Sequence, residues 1–80
     1  MKRIPRDLSA QKLIKSLQKF GYKPTRQSGS HIRLTTEQNG IHHITIPDHS
    51  PLKIGTLSGI LKEIANHLQI SKEDLINRLF

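Results

Sequence analysis

Apolar side chains recur at Ala10, Leu13, Ile14, Leu17 and Phe20, the three- and four-residue spacing of a helix with one covered face. Ser9 stands where a hydroxyl can accept from the free amides of a first turn, and Gly21 suits the left-handed residue that ends a helix, so a helix is predicted over 9–20. From Tyr22 the period shortens. Pro24 and Thr25 favour extended backbone to about Ser28, and Gly29-Ser30 supplies a turn. His31 to Thr36 then alternates, with Ile32 and Leu34 on one face and His31, Arg33 and Thr35 on the other. Asn39-Gly40 is a strong signal for a two-residue hairpin, because both residues tolerate positive φ. The returning strand, Ile41 to Ile46, puts Ile44 and Ile46 on a face with His42, and Ile41, His43 and Thr45 on the other; Pro47 ends it.

After a loop over 48–53, Ile54, Leu57, Ile60, Leu61, Ile64 and Leu68 form the apolar stripe of a second helix, with Gly55-Thr56 at its start. Glycine there either permits close packing or leaves the free amides of the helix start open to an anion. Ser71 and Asp74 form a variant capping box for a short last helix over 72–79, which buries some of Leu75, Ile76, Leu79 and Phe80. One helix before and one after a three-stranded antiparallel meander cover the same sheet face most simply. The expected fold is therefore an α+β two-layer sandwich of order α-β-β-β-α plus a short C-terminal helix, its other sheet face open and carrying His31 and Arg33.

Eighty residues make one domain over 1–80 with a thin core, which excludes a deep enclosed active site and puts any substrate on the surface. Cysteine is absent, so disulfide and thiolate chemistry are excluded and a reducing cytoplasm is the compatible location. No apolar run reaches signal-peptide or membrane-span length, so no membrane partner is expected. Charge sharpens the picture. Residues 1–35 hold nine basic side chains against Asp7 alone, a balance of +8, while residues 36–80 hold four against five acidic ones, a balance of −1. The basic half contains His31, and such asymmetry points to a polyanion held through its phosphates.

Five histidines raise the question of chemistry. His42 and His43 point to opposite faces, one at the core edge and the other exposed; His49 lies in a loop, and His67 reads as a helix surface residue. The open face could bring His31 near His43, but no short ligand spacing or carboxylate trio supports a metal site, and no cofactor is expected. From the residues alone His31 reads first as an ordinary exposed strand histidine; were the polyanion RNA, it would also be the residue type placed for cleavage chemistry. RNA carries its own nucleophile, the 2′-hydroxyl, and a residue type with an ordinary pKa of about 6.5 can take its proton at neutrality. Arg33, Arg26 or Lys23 would then stabilise charge developing at phosphorus.

The run Gly29-Ser30-His31 opening a strand, the strand end Ile44-Thr45-Ile46-Pro47 with His49 beyond it, and Lys53-Ile54-Gly55-Thr56-Leu57 followed by Ile60-Leu61-Lys62 resemble the HicA toxins of bacterial toxin-antitoxin systems. Leu17-Lys19-Phe20-Gly21-Tyr22 fits the helix end that precedes this motif, so the resemblance spans about residues 8–76. It departs at Ala65-Asn66-His67-Leu68, where such chains commonly end the helix with glycine. The resemblance implies a fold similar to the double-stranded-RNA-binding domain and a cytoplasmic mRNA-cleaving ribonuclease held inactive by a HicB-like antitoxin. It also implies His31 as the catalytic histidine, with Gly29 and Ser30 shaping its turn. Lys19, Lys23, Arg26, Arg33, Lys53 and Thr56 are the candidate RNA contacts. Two other classes stay open: a non-catalytic RNA-binding module of the same fold, and an open face used mainly to dock an acidic protein.

Overall fold

Residues 4–80 are described by a computed structural model of the chain. Lys2 and Arg3, counted above in the basic half, lie outside the described residues. The chain runs α1 (Ala10–Leu17), a 3-10 turn (Gln18–Phe20), β1 (Lys23–Ser28), β2 (His31–Thr36), β3 (His42–Pro47), α2 (Ile54–Leu68) and α3 (Lys72–Leu79). The expected order is thus present, with the first helix tightening into 3-10 geometry for its last turn.

Local chemistry explains the ends. The Ser9 hydroxyl accepts from the Lys12 amide at 3.2 Å, and Gly21 closes the 3-10 turn with φ of 79°. A Cβ at Gly21 would stand 2.9 Å from the Thr36 hydroxyl, which is buried and donates to the Phe20 carbonyl at 2.7 Å. Glycine is therefore fixed there by both backbone and space. α2 ends at Gln69, which takes the left-handed conformation at φ of 59° and donates to the Ala65 and Asn66 carbonyls. A side-chain-bearing residue thus fills the role that glycine usually has. The Ser71 hydroxyl accepts from the Asp74 amide at 2.9 Å, as the capping box requires.

The three strands form one antiparallel sheet in the order β1-β2-β3. Ile32, Leu34, Ile44 and Ile46 are buried with Leu13, Ile14 and Leu17 of α1, Leu57, Ile60, Leu61 and Ile64 of α2, and Leu75, Ile76 and Leu79 of α3. All helices thus contribute to one core, and the face bearing His31, His43 and Thr45 is exposed.

Of the two expected turns one is kept and the other is longer than its sequence suggests. Ser28 pairs with His31, so Gly29-Ser30 is the two-residue hairpin turn, with positive φ of 58° at Gly29 only, as a type II′ turn requires. Asn39 and Gly40 do adopt positive φ, 58° and 94°, but within a longer connection over 37–41, because Thr36 pairs with His42. The cause is tertiary. Asn39 Nδ2 donates to the His67 carbonyl at 2.8 Å, and His67 Nε2 lies 2.8 Å from the Gln38 carbonyl and 3.0 Å from that of Gly40, so the loop is tied to the end of α2. His67 is accordingly a loop anchor rather than a plain surface residue. Ile54, expected in the buried stripe, is 45 % exposed, since burial in α2 begins at Leu57.

Beneath this loop the Tyr22 hydroxyl lies 2.7 Å from His42 Nδ1, while His42 Nε2 lies 3.2 Å from Glu63 and its ring stacks on His67 with 4.4 Å between centroids. Burial, and then the negative charge of Glu63, push the Tyr22 hydroxyl from 10 up to about 12. A raised pKa in the folded state means that this contribution is complete below pH 10 and is lost as pH rises through about 12. Tyr22 is the sole tyrosine, so tyrosinate absorbance reads it alone. The folded protein is expected to titrate near 12, and Tyr22→Phe to flatten the alkaline loss of stability. Tyrosinate forming in the folded protein near pH 10 would contradict this.

Candidate active site on the open sheet face

His31 is exposed at the first position of β2, opposite Ser28 on β1 and Pro47 on β3. Its turn is held from both sides. Gln27 Nε2 donates to the Gly29 carbonyl at 3.2 Å, and the Asp48 amide donates to the Ser30 carbonyl at 2.6 Å. A Cβ at Gly29 would meet nothing within 4 Å, so glycine is required there by φ rather than by space. Among the described residues no side chain hydrogen-bonds the His31 ring, which leaves both nitrogens to solvent or substrate.

The register then decides which cations stand near it. Arg33 follows two positions along the same face, about 7 Å away at Cα. Arg26 lies directly opposite Arg33 and diagonally from His31, at about 7–8 Å. That pairing depends on an irregularity in β1. Lys23 and Pro24 pair with Thr35 and Leu34, Thr25 is then the extra residue of a bulge, and Arg26 pairs with Arg33. Without the bulge, strict alternation from Lys23 would turn Arg26 to the helix side. With it, Lys23, Arg26 and Ser28 all share the open face. Two arginines thus stand at opposed positions across the strands, and Arg33 Nε is shielded from solvent without a hydrogen-bond partner among the described residues. Like charges in this position are unfavourable unless an anion lies between them.

The loop after β3 gathers further positive ends at the His31 edge. The Ala10 amide donates to the His49 carbonyl at 3.1 Å, and the Leu52 amide to the Leu8 carbonyl at 2.8 Å, so α1 and α2 both begin here. α2 has no side-chain cap, and Lys53, Ile54, Gly55 and Thr56 are all exposed. A Cβ at Gly55 would meet nothing within 4 Å, so close packing does not explain that glycine. The start of α2 therefore offers free amides beside Lys53 and Thr56.

Not all candidates converge. Lys23 pairs with Thr35 at the opposite end of β1 from Ser28. Lys19 lies in the helix layer, where its ammonium donates to the Arg78 carbonyl at 3.2 Å. His43 pairs with Thr35, four positions along β2 from His31, which places the two histidines about 14 Å apart. They cannot share one ligand atom, and among the described residues no three His, Cys, Asp or Glu side chains come together as metal ligands. His49 is exposed in the loop beside the His31 edge. No helix is long and apolar enough to cross a membrane among the described residues.

Alternation put Thr35 on the open face but did not show that Thr25 and Glu37 join it in lining a groove at the far end of the sheet, since a bulge leaves no mark in the pattern of one strand.

Comparison with known proteins fits these features. No curated protein and no solved structure matches the chain. The family model of the HicA toxin of bacterial toxin-antitoxin systems matches residues 10–65, from the start of α1 through most of α2 and across the His31 turn. The chain belongs to the HicA toxin family.

Proposed function

We propose that this toxin is an endoribonuclease that cuts mRNA, with His31 as its general base, and that a HicB-like antitoxin silences it by covering the open sheet face. The observation that carries this reading is the exposed histidine at the edge of a face where Arg26 and Arg33 oppose each other with no ion pair to either among the described residues. In the reaction His31 takes the proton of a ribose 2′-hydroxyl, the oxygen attacks the adjacent phosphorus as the bond from phosphorus to the 5′-oxygen breaks, and the leaving 5′-oxygen takes a proton from solvent water. The products are a 2′,3′-cyclic phosphate and a 5′-hydroxyl. Arg33 and Arg26 stabilise the extra charge on the phosphorane. Lys53, Thr56 and the free amides of α2 hold a neighbouring phosphate, and Lys23 holds the strand at the other end of the sheet. Lys19 contributes only if it leaves the Arg78 carbonyl. The work is done in the cytoplasm, where mRNA is found.

Controlled expression of the wild type and of His31→Ala tests this. Wild type is expected to arrest growth and deplete mRNA, the folded variant to do neither, and co-expression of the adjacent reading frame to restore growth. Equal toxicity of both forms would remove His31 from its role, and RNA binding without cleavage by either would favour a non-catalytic module.

The facing arginines give a second test. Arg26→Gln relieves a like-charge pair, so it is expected to hold or raise stability by a few tenths of a kcal/mol. The same change is expected to weaken RNA binding and to lower the slope of log affinity against log salt by about one. Denaturant melts and RNA titrations over a salt series check both. Lost stability with unchanged RNA affinity would mean that the pair is structural.

A further inference from the structure

At the end of the sheet away from His31 lies a groove of about 450 Å³, lined by Gly21, Lys23, Thr25, Thr35, Thr36, Glu37 and Gln38. Its volume is in the range of small-molecule sites. Its floor is a hydrogen-bonded chain across all three strands. Thr25 Oγ1 lies 2.8 Å from Thr35 Oγ1, Thr35 Oγ1 lies 2.8 Å from His43 Nδ1, and Thr25 Oγ1 donates to the Arg33 carbonyl at 3.4 Å. The Thr25 and Thr35 hydroxyls thus find their partners within the protein, and the polar floor is held in place by the strands themselves. Toward a ligand the lining presents the Thr25 and Thr35 oxygens and, at the loop edge, the Glu37 carboxylate, which can only accept. Lys23 is the one cation in the lining. Among the described residues no ion pair engages either Glu37 or Lys23.

We infer that this groove is a nucleotide subsite, which takes a phosphate on Lys23 and reads a base carrying an exocyclic amino group on Glu37 above the Thr25–Thr35 floor. The inference rests on the RNA-cleaving reading for its context and gives that enzyme a specificity determinant. The His31–His43 separation of about 14 Å puts the base it reads more than one nucleotide from the cut bond. A base amine finds an acceptor in the Glu37 carboxylate, whereas the carbonyl-flanked edge of uracil sets two acceptors against it. The bulge at Thr25 makes the site, because the added residue aims a second hydroxyl onto the face that already holds Thr35.

Amide chemical shifts of the full-length protein, titrated with CMP and with UMP, test the subsite without requiring cleavage. CMP is expected to shift Lys23, Thr25, Thr35 and Glu37 and to bind at least fivefold more tightly than UMP. Glu37→Gln is expected to erase that preference while leaving the remaining spectrum in place, and Thr35→Val, which keeps the shape and breaks the chain, to weaken CMP by about tenfold. Shifts confined to the His31 end, equal binding of the two nucleotides, or an unaltered preference in Glu37→Gln would overturn the subsite. The RNA-cleavage assay is read separately: a groove that binds CMP in a protein that cuts no RNA would sink the nuclease reading and keep the subsite, and the reverse pattern would do the opposite.

Discussion

His31→Ala is expected to slow RNA cleavage by the purified protein by roughly 10²- to 10⁴-fold, the share that a positioned general base contributes. The change should be clean. His31 is exposed, and no side chain among the described residues holds its ring, so truncation removes no packing and strands no partner. Backbone pairing with Ser28 and Pro47 is indifferent to the side chain. Stability is therefore expected to move by no more than about 0.5 kcal/mol, the usual range for such surface positions. Initial rates measured beside a thermal melt separate chemistry from unfolding. A folded variant whose rate stays within a few-fold of wild type would show that another group takes the proton.

The second large effect concerns the fold. Leu34→Ala is expected to cost about 3 kcal/mol, the cost of a cavity left by deleting a buried leucine. Leu34 has 0 % exposure at the centre of the middle strand, paired on its two sides with Pro24 and Ile44. A domain of this size melts roughly 4–8 °C lower per kcal/mol lost, so a fall of about 10–25 °C follows. Ile54→Ala is the control. The apolar spacing of α2 puts Ile54 and Leu57 in one stripe, yet Ile54 is 45 % exposed and Leu57 0 %. Its truncation is expected to leave the melting temperature almost unchanged. Equal losses in the two variants would mean that the first turn of α2 packs as tightly as the sheet.

The contrast between Leu34 and Ile54 shows what was legible in the sequence. Alternation in His31–Thr36 and Ile41–Ile46 assigns side chains to faces, because one buried face forces a period of two, and the structure keeps those assignments. Helix ends were legible where local chemistry closes them, a capping hydroxyl at Ser9 and Ser71 and a left-handed glycine at Gly21. Features set by contacts distant in the chain were not. Asn39-Gly40 adopts its positive φ values but not the shortest loop, because His67, far along the chain, draws the carbonyls on either side of Asn39 toward the end of α2. Ile54 has helical spacing but lies in a first turn with no buried residue. The bulge at Thr25 changes which side chains of β1 reach the open face, and it arises from the pairing of two strands rather than from either strand alone.

The candidate site divides in the same way. The Gly29-Ser30-His31 turn and Arg33 were legible, since turn chemistry and alternation are local. That Arg26 opposes Arg33, that Lys19 is drawn to the end of α3, and that His31 and His43 are separated by most of a strand depend on register and packing.

The most direct measurement uses one short RNA and its counterpart with a single 2′-deoxyribose at the nucleotide preceding the cut bond. The purified toxin is expected to cut the first, leaving a 2′,3′-cyclic phosphate, and to leave that bond intact in the second, because the nucleophile that His31 activates is then missing. Cleavage of the 2′-deoxy bond at a comparable rate would contradict a mechanism built on His31 and the substrate's own hydroxyl.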